Sequence, residues 1–597
     1  MADSPNLDGG GVLKLSLFCD GSPIDEDIPV VSVNVNKAIN KVPFAKIVLL
    51  DGDMPGQDFP VSNSDQFKPG AEIKINAGYD DDEETIFEGV VIRHGIKVSG
   101  DNYSRLVVEC RDKAVAMTVG RKNANYIDSK DGDVITTLIG NYTGLTAEVS
   151  ASKTQYSELV QHYSTDWDFM LSRAEINGML VFVDDAKVSV APPDGTKEAV
   201  LQVTYGEDLM EFSADLDARS QLTSVETVGW DPAKQEIVSE EAAGKAIGAS
   251  GNIASAELAK VIGLDKFRLQ STVPLESSVL NDWAKAQQVK SALARIRGRM
   301  KFQGSAKASI GDMIELVGVG ERFSGNVFVS TVEHEISNGQ WTTRADFGMS
   351  DNWFAEQRDL ITPPASGLLP GVEGLQIGVV MKLDGDPANE FRIQVKLPVM
   401  AAAEEGVWAR LANLYATEGM GAFFIPEIGD EVVLGYLNND PNHPVVLGSF
   451  YSSKRVAPYE LSADNYIKAL VTKAELKIEF DDEKKIITIV TPGENKVMLN
   501  DDEKSILLED QNGNKVELSG SGITLDSPKD INITAQGGIN IEAMDAIAIS
   551  SSGGDVTAEG LNVSLTAQIG FTAEGSATAE LSASGQTTVK GAMVMIN

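Results

Sequence analysis

The stretch INITAQGGINIEAMDAIAIS, residues 531–550, carries isoleucine at 531 and 533, again at 539 and 541, and again at 547 and 549. A strand has side-chain period two, so a pair of isoleucines returning every eight residues predicts a short strand, a corner and another short strand in succession. Eight residues of extended chain reach at most about 26 Å, one side of a prism and its corner. One octad therefore does not close a solenoid turn. Two arrangements remain open. A single chain can use three octads per turn, or three identical chains can wind together, each supplying one face of every layer so that neighbouring copies cover every strand edge. Single-chain β-helices more often repeat at six residues or as nine-residue glycine-rich calcium motifs, and neither is present, which favours three chains. In that arrangement Ile531, Ile533, Ile539, Ile541, Ile547 and Ile549 form a dry axis, and interleaved chains make a stiff, kinetically stable rod.

Apolar pairs of the same kind occur earlier, at Ile478/Phe480, Ile487/Ile489, Val497/Leu499, Ile506/Leu508, Val516/Leu518 and Ile523/Leu525, at steps of seven to ten residues. After Gly554 the phase continues more weakly through Leu561, Val563, Ile569, Phe571 and Leu581. The expected needle accordingly covers residues 456–597. Before it, IGVVMKLDGDPANEFRIQVKLP (377–398) and IPEIGDEVVLGYLNNDPNHPVVLGSFY (425–451) offer several short strands joined by tight turns, which suits a small closed barrel of the OB type over 374–455. ITPPASGLLPGVE, residues 361–373, has the proline and glycine content of a linker.

The first 360 residues read as strands with a few helices. VVSVNVNKAINKVPFAKIVLL (30–50), AEIKINAGY and TIFEGVVIRHGIKV alternate in period two, with acidic or glycine turns between them. GDVITTLIGNY (132–142) and STDWDFMLSRAEING (164–178) open on capping residues, the second closes on Gly178, and Trp167, Met170, Leu171 and Ala174 share a core face. VLNDWAKAQQVKSALARIRGRM (279–300) predicts a third helix whose late basic residues suit the macrodipole. The fold class expected is thus mainly β: a hub of two barrel-like subdomains with a few helices, an OB-fold barrel, and an intertwined trimeric β-helix.

Of the 597 residues, 88 are acidic and 50 basic, a formal charge of −38. That balance repels phosphate backbones, so nucleic acid is not an expected partner, and it disfavours docking on anionic membrane. No segment approaches the roughly 20 apolar residues of a spanning helix. The opening MADSPNLDGGG lacks the basic and apolar regions of a signal peptide, so synthesis in the cytoplasm is expected. Cys19 and Cys110 are too few for a disulfide framework and are expected as buried free thiols.

The residues 426–451, PEIGDEVVLGYLNNDPNHPVVLGSFY, resemble the barrel-closing segment of the spike proteins of contractile injection systems: the VgrG tip of type VI secretion, the hub and spike of contractile phage tails, and the spikes of extracellular particles of the antifeeding-prophage type. STDWDFMLSRAEINGMLVFV (164–183) resembles the hub helix of that family, and GVGERFSGNVFVSTVEHEIS (318–337) a strand pair of its second hub barrel. VPFAKIVLLDGDMPGQDFP (42–60) looks closest to the extracellular particles. The resemblance implies a homotrimer seated on inner-tube or hub proteins, surrounded by baseplate proteins, touching a target membrane only mechanically, inside a particle that is released or membrane-anchored. It implies no catalysis and no cofactor.

The site candidates are correspondingly spare. His94, His162, His334 and His443 have no partner at metal-ligand spacing, and DDDEE (80–84) and DDE (501–503) read as solvated acidic turns, so no metal is expected. The segment GAMVMIN (591–597) is polar-poor, and an exposed apolar patch marks a partner surface. Met593, Val594, Met595 and Ile596 are the expected platform for a separate tip protein of the PAAR-repeat kind; the alternative is a last layer closing on its own methionines. A β-helical glycan depolymerase would need carboxylate pairs and aromatic sugar platforms. Beyond residue 470 the aromatics are Phe480 and Phe571 alone, which disfavours that reading. A trimeric adhesin leaves the hub and barrel motifs without a role.

Overall fold

The computed structural model describes residues 3–5, 11–80, 82–100, 103–244, 247–399 and 406–596. The chain separates into two compact units, Met1–Ser449 and Phe450–Asn597. Most of the opening MADSPNLDGGG, and Asp81 within DDDEE, lie outside the described residues.

The first unit is built on one sheet of 14 strands. Its path runs from Glu211–Leu216 through Ile296–Gln303, Gln340–Phe347 and Gly325–Ser337 to Val30–Ala38, Phe44–Leu50, Ser104–Arg111, Asp82–Val98, Glu72–Tyr79 and Leu13–Cys19. Alternation decides which face is core: Val33 and Val35 are fully buried, and the asparagines between and after them face outward. The sheet wraps two cores. One gathers Ile47, Leu49, Ile73, Ile75, Phe87 and Leu106, the other Met300, Phe302, Ile314, Val329 and Phe347. The expected pair of hub subdomains therefore shares one sheet, because Val30–Ala38 pairs antiparallel with Gly325–Ser337, across some 300 residues of sequence. A third core lies under the helices Asp131–Gly140 and Asp166–Ile176, packed on the small sheet Leu180–Asp184, Lys187–Ala191 and Thr146–Val149. Cys19 and Cys110 are free and buried, and burial pushes the Cys110 thiol up to about 12.

The expected third helix is shorter than its pattern suggested. It spans Ser277–Ala294, and Arg297, Arg299 and Lys301 lie instead on the strand Ile296–Gln303, held on both sides by Glu211–Leu216 and Gln340–Phe347. Two ladders of hydrogen bonds override the helical periodicity there. A further helix, Ser255–Ile262, ends on Gly263 at φ +71°, the left-handed cap that only glycine adopts without cost.

Strands Gln376–Lys382, Ile393–Lys396, Val407–Leu411, Pro444–Ser449 and Glu431–Tyr436 form the one closed barrel among the described residues. Val380, Val395, Ala409, Val432 and Leu434 fill it. It is narrow: a Cβ on Gly378 would stand 2.3 Å from Val395 Cγ1.

The second unit contains a seven-stranded antiparallel meander, Ile467–Val471, Lys477–Asp481, Ile486–Val490, Lys496–Asn500, Ser505–Glu509, Lys515–Ser519 and Gly522–Asp526, each strand paired with the next. From 527 to 596 the chain has no strand; it bends at 528, 536, 544, 552, 560, 568, 576, 584 and 592, eight residues apart throughout. The segment expected as a needle thus divides into two constructions, and the spacing of its bends stays at eight residues after Gly554.

Candidate functional site

Apolar side chains of the meander stand in two ladders on one face. Ile478 lies opposite Ile489 and Phe480 opposite Ile487; Ile487 then meets Leu499, and Ile489 meets Val497. The series continues through Val497 with Leu508, Leu499 with Ile506, and on to Val516 with Leu525 and Leu518 with Ile523. The other face is mixed: Ile486, Val490, Met498 and Leu507 stand half-buried on it beside ion pairs, Lys477 with Glu479 at 3.0 Å and Lys515 with Glu517 at 2.6 Å. Each pair read from the sequence is therefore a rung of one surface, and that surface is open: Ile478, Phe480, Ile487, Leu499, Ile506 and Leu508 are all exposed. It is also concave, holding a cavity of about 550 Å³ lined by Ile489, Val497, Leu508, Val516, Leu525 and Ile531.

The octads leave more unsatisfied. Ile531, Ile539 and Ile547 are 51–53% exposed, and Ile533, Ile541 and Ile549 66–75%. Among the described residues their backbone has no strand partner. A stretch this long with unpaired amides and bare isoleucines is the surface of an interface rather than of a finished domain. Met593, Val594, Met595 and Ile596 are 50–91% exposed, and Asn597 lies outside the described residues. Met595 stands eight octads after Ile531, in the same phase as the isoleucines, whereas Val594 and Ile596 do not.

Polar groups of the hub are occupied with holding it together. Thr165 Oγ1 accepts the Asp168 amide at 3.0 Å, capping the helix Asp166–Ile176. Asp166, buried, accepts from Lys122 Nζ at 2.6 Å, the Tyr142 hydroxyl at 2.8 Å and Gln161 Nε2 at 2.9 Å. Burial alone would raise its carboxyl, but those Gln161, Lys122 and Tyr142 hydrogen bonds hold it below the usual carboxylate range. Arg173 grips the buried Asp131 through two bonds of 2.6 and 3.1 Å, and Asn177 adds a third at 2.8 Å. The motif 164–178 is a folding device from end to end.

The histidines are dispersed. His94 Nε2 meets Ser62 Oγ at 2.7 Å and its Nδ1 the Phe67 carbonyl at 2.9 Å, pinning the loop after Phe44–Leu50. His334 is wholly buried against Thr343 and Trp341, and desolvation pulls it down to about 3. His443 faces Asp440 at 3.4 Å, and His162 is exposed. Among the described residues no three His, Cys, Asp or Glu side chains converge as a metal site would require, and no helix is long and apolar enough to cross a membrane. Asp501–Lys504 is a hairpin turn as expected, whereas of DDDEE only Asp80, which accepts the Val12 amide, is a described turn residue; Asp82, Glu83 and Glu84 already lie in the strand Asp82–Val98, where Glu83 pairs with Lys14.

The described residues thus supply a strand-rich region on one continuous sheet, a small closed barrel, and an apolar-faced meander followed by octads. The chain belongs to the family described as the Alg8 N-terminal domain, which matches residues 10–338; residues 376–451 match the type VI secretion system/phage-baseplate injector OB domain. Its relatives include the type VI secretion system spike protein VgrG5 of Pseudomonas aeruginosa, 28% identical over 145 residues, and VgrG3 of Vibrio cholerae, 31% identical over 99 residues. Those alignments take in 23% and 15% of this chain, and 18% and 10% of the relatives' own lengths. Among solved structures, the 43 kDa tail protein of prophage MuSo2 from Shewanella oneidensis superposes at a TM-score of 0.44 with 8% identity, over 57% of this chain and 99% of that one.

Proposed function

We propose that three copies of this chain form the central spike of a contractile injection system, joining an inner tube to a tip and puncturing a target envelope by force. The observation that carries the reading is the unpaired octad segment, with a corner every eight residues from 528 to 592 and isoleucines bare at every early layer. A chain with no partner for its own amides over that length needs other chains, and identical ones share its period. The apolar ladders of 478–525 face the same need, since three concave sheets set around one axis bury them. The spike lowers no chemical barrier; its stiffness concentrates the load. Residues 1–360 seat on tube or hub proteins, and baseplate proteins surround them. Within the class, the wording of 42–60 favours a free extracellular particle over the membrane-anchored type VI apparatus, and the protein reaches it from the cytoplasm. Light scattering on the purified protein is expected to give three times the 63.8 kDa of one chain; a monomer at micromolar concentration would overturn the reading.

Met593, Val594, Met595 and Ile596 serve as the platform for a PAAR-like tip protein, with Met595 in the octad phase of Ile531 and Val594, Ile596 and the corner residue Met593 outside it. Deleting 591–597 is expected to abolish co-purification of the tip protein and leave the trimer intact. Retained tip binding would refute the platform.

A further inference from the structure

Eight-residue spacing fixes which residues share a phase. The position of Ile531, Ile539 and Ile547 is taken next by Asp555 and then by Val563 and Phe571, while Thr557 takes the position of Ile533, Ile541 and Ile549. Corners at 552 and 560 remain eight apart, so no inserted residue carries Asp555 out of phase. Asp555 is therefore the one ionisable residue in that phase between Ile531 and Met595.

The isoleucine layers before it have a weakness. They are identical, so a chain that loops out one octad between 531 and 554 sets Ile539 where Ile531 belongs and loses no apolar contact. Apolar packing alone does not distinguish the two registers. We propose that Asp555, with Thr557, is the register key of the three-chain needle. In register the three Asp555 carboxyls meet one another and accept hydrogen bonds from the Thr557 hydroxyls of the same layer. In a chain slipped by one octad, Asp555 meets Ile547 or Val563 and is buried with no partner, which the assembly rejects. A single polar residue setting register inside an apolar interface works by the same physics in coiled coils.

This rests on the trimeric reading, and the test separates the two. Two full-length chains with different tags are co-expressed, one carrying Ile531→Cys and the other Ile547→Cys, and oxidised after purification. Successive octads of neighbouring copies stack about 4.8 Å apart, so cysteines two octads apart come within disulfide reach only if one chain has slipped by an octad. With Asp555 present the mixed disulfide is expected to be at background. With Asp555→Ile added to both chains it is expected to rise at least about tenfold, which corresponds to about 1.4 kcal/mol of lost discrimination. Asp555→Asn keeps a polar layer and is expected to hold the slipped product down. Ile547→Cys alone reports the trimer itself, because in-register copies crosslink at that layer. Failure of that crosslink overturns the trimer and the key with it. A normal Ile547→Cys crosslink with no rise in the slipped product for Asp555→Ile overturns the key alone.

Discussion

The meander of 467–526 and the octads of 527–596 use the same apolar alphabet and solve opposite problems. In the meander the chain reverses after every strand and finds its own hydrogen-bond partner. Residues 477–495, KIEFDDEKKIITIVTPGEN, and 496–514, KVMLNDDEKSILLEDQNGN, are two copies of a 19-residue hairpin repeat. Each reversal uses a left-handed residue: Lys485 at φ +55°, Glu494 at +66°, Lys504 at +52° and Gly513 at +81°. Gly522, at +120°, is the last described residue with positive φ. Beyond it the corners bend the chain without reversing it, so consecutive octads advance and never pair. The difference lies in the turns rather than in the strands, and it teaches that whether a strand finds its partner in its own chain or in another is decided by a few backbone angles at the corners.

The largest effect that would break this comparison is a charge inside the octads. Ile539→Asp with Ile541→Asp places six carboxylates in one layer of a trimer, at several kcal/mol per buried ion, and the oligomer is expected to be lost by light scattering. The hub should be indifferent to that change, since it is complete within one chain. Its own weak point is different: Arg173→Ala strands the buried Asp131 and is expected to cost about 3–5 kcal/mol in denaturant unfolding of the hub, leaving oligomer contacts through the needle unaffected.

A milder expectation concerns pH. The Asp166 carboxyl is depressed in the folded hub, so its contribution is present in full above the unfolded carboxylate value near ~4 and fades as pH falls through the lower folded value. The melting temperature of the hub should drop on acidification below about pH 4, and Asp166→Asn, itself costing about 1–3 kcal/mol at neutral pH, should drop less steeply. An equal slope in both proteins would remove Asp166 from the account. Smallest is the contrast between two glycines. Gly513→Val forces a side chain into the left-handed region at about 1–2 kcal/mol, whereas Gly537 sits at an octad corner with ordinary φ and open space where a Cβ would stand, and should tolerate alanine within about 0.5 kcal/mol.

Much of this was legible in the residues. The isoleucine pairs at 531–549 mark the octads because period two and period eight coincide there, and PEIGDEVVLGYLNNDPNHPVVLGSFY marks the barrel through its turn residues. Two things were hidden. The meander looked like a loose version of the octads because steps of seven to ten residues blur into eight; the signal that separates them is the turn chemistry of DEKK, TPGEN, DDEK and DQNGN, which reverses a chain. The arginines after Ala294 looked helical because the strand that claims them is specified by partners at 211–216 and 340–347, far away in sequence. The phase of Asp555 is likewise set by the corners at 552 and 560 rather than by its neighbours in sequence.

The central claim, that the backbone hydrogen bonds of the meander are completed within its own chain and those of the octads by other copies, is tested most directly by amide hydrogen exchange on the full-length protein and on its Ile539→Asp/Ile541→Asp variant. The account predicts slow exchange across both 467–526 and 527–596 in the assembled protein, and in the variant retained protection over 467–526 with protection over 527–596 lost. Slow exchange over 527–596 in a monomeric variant, or fast exchange there in the intact assembly, would contradict it.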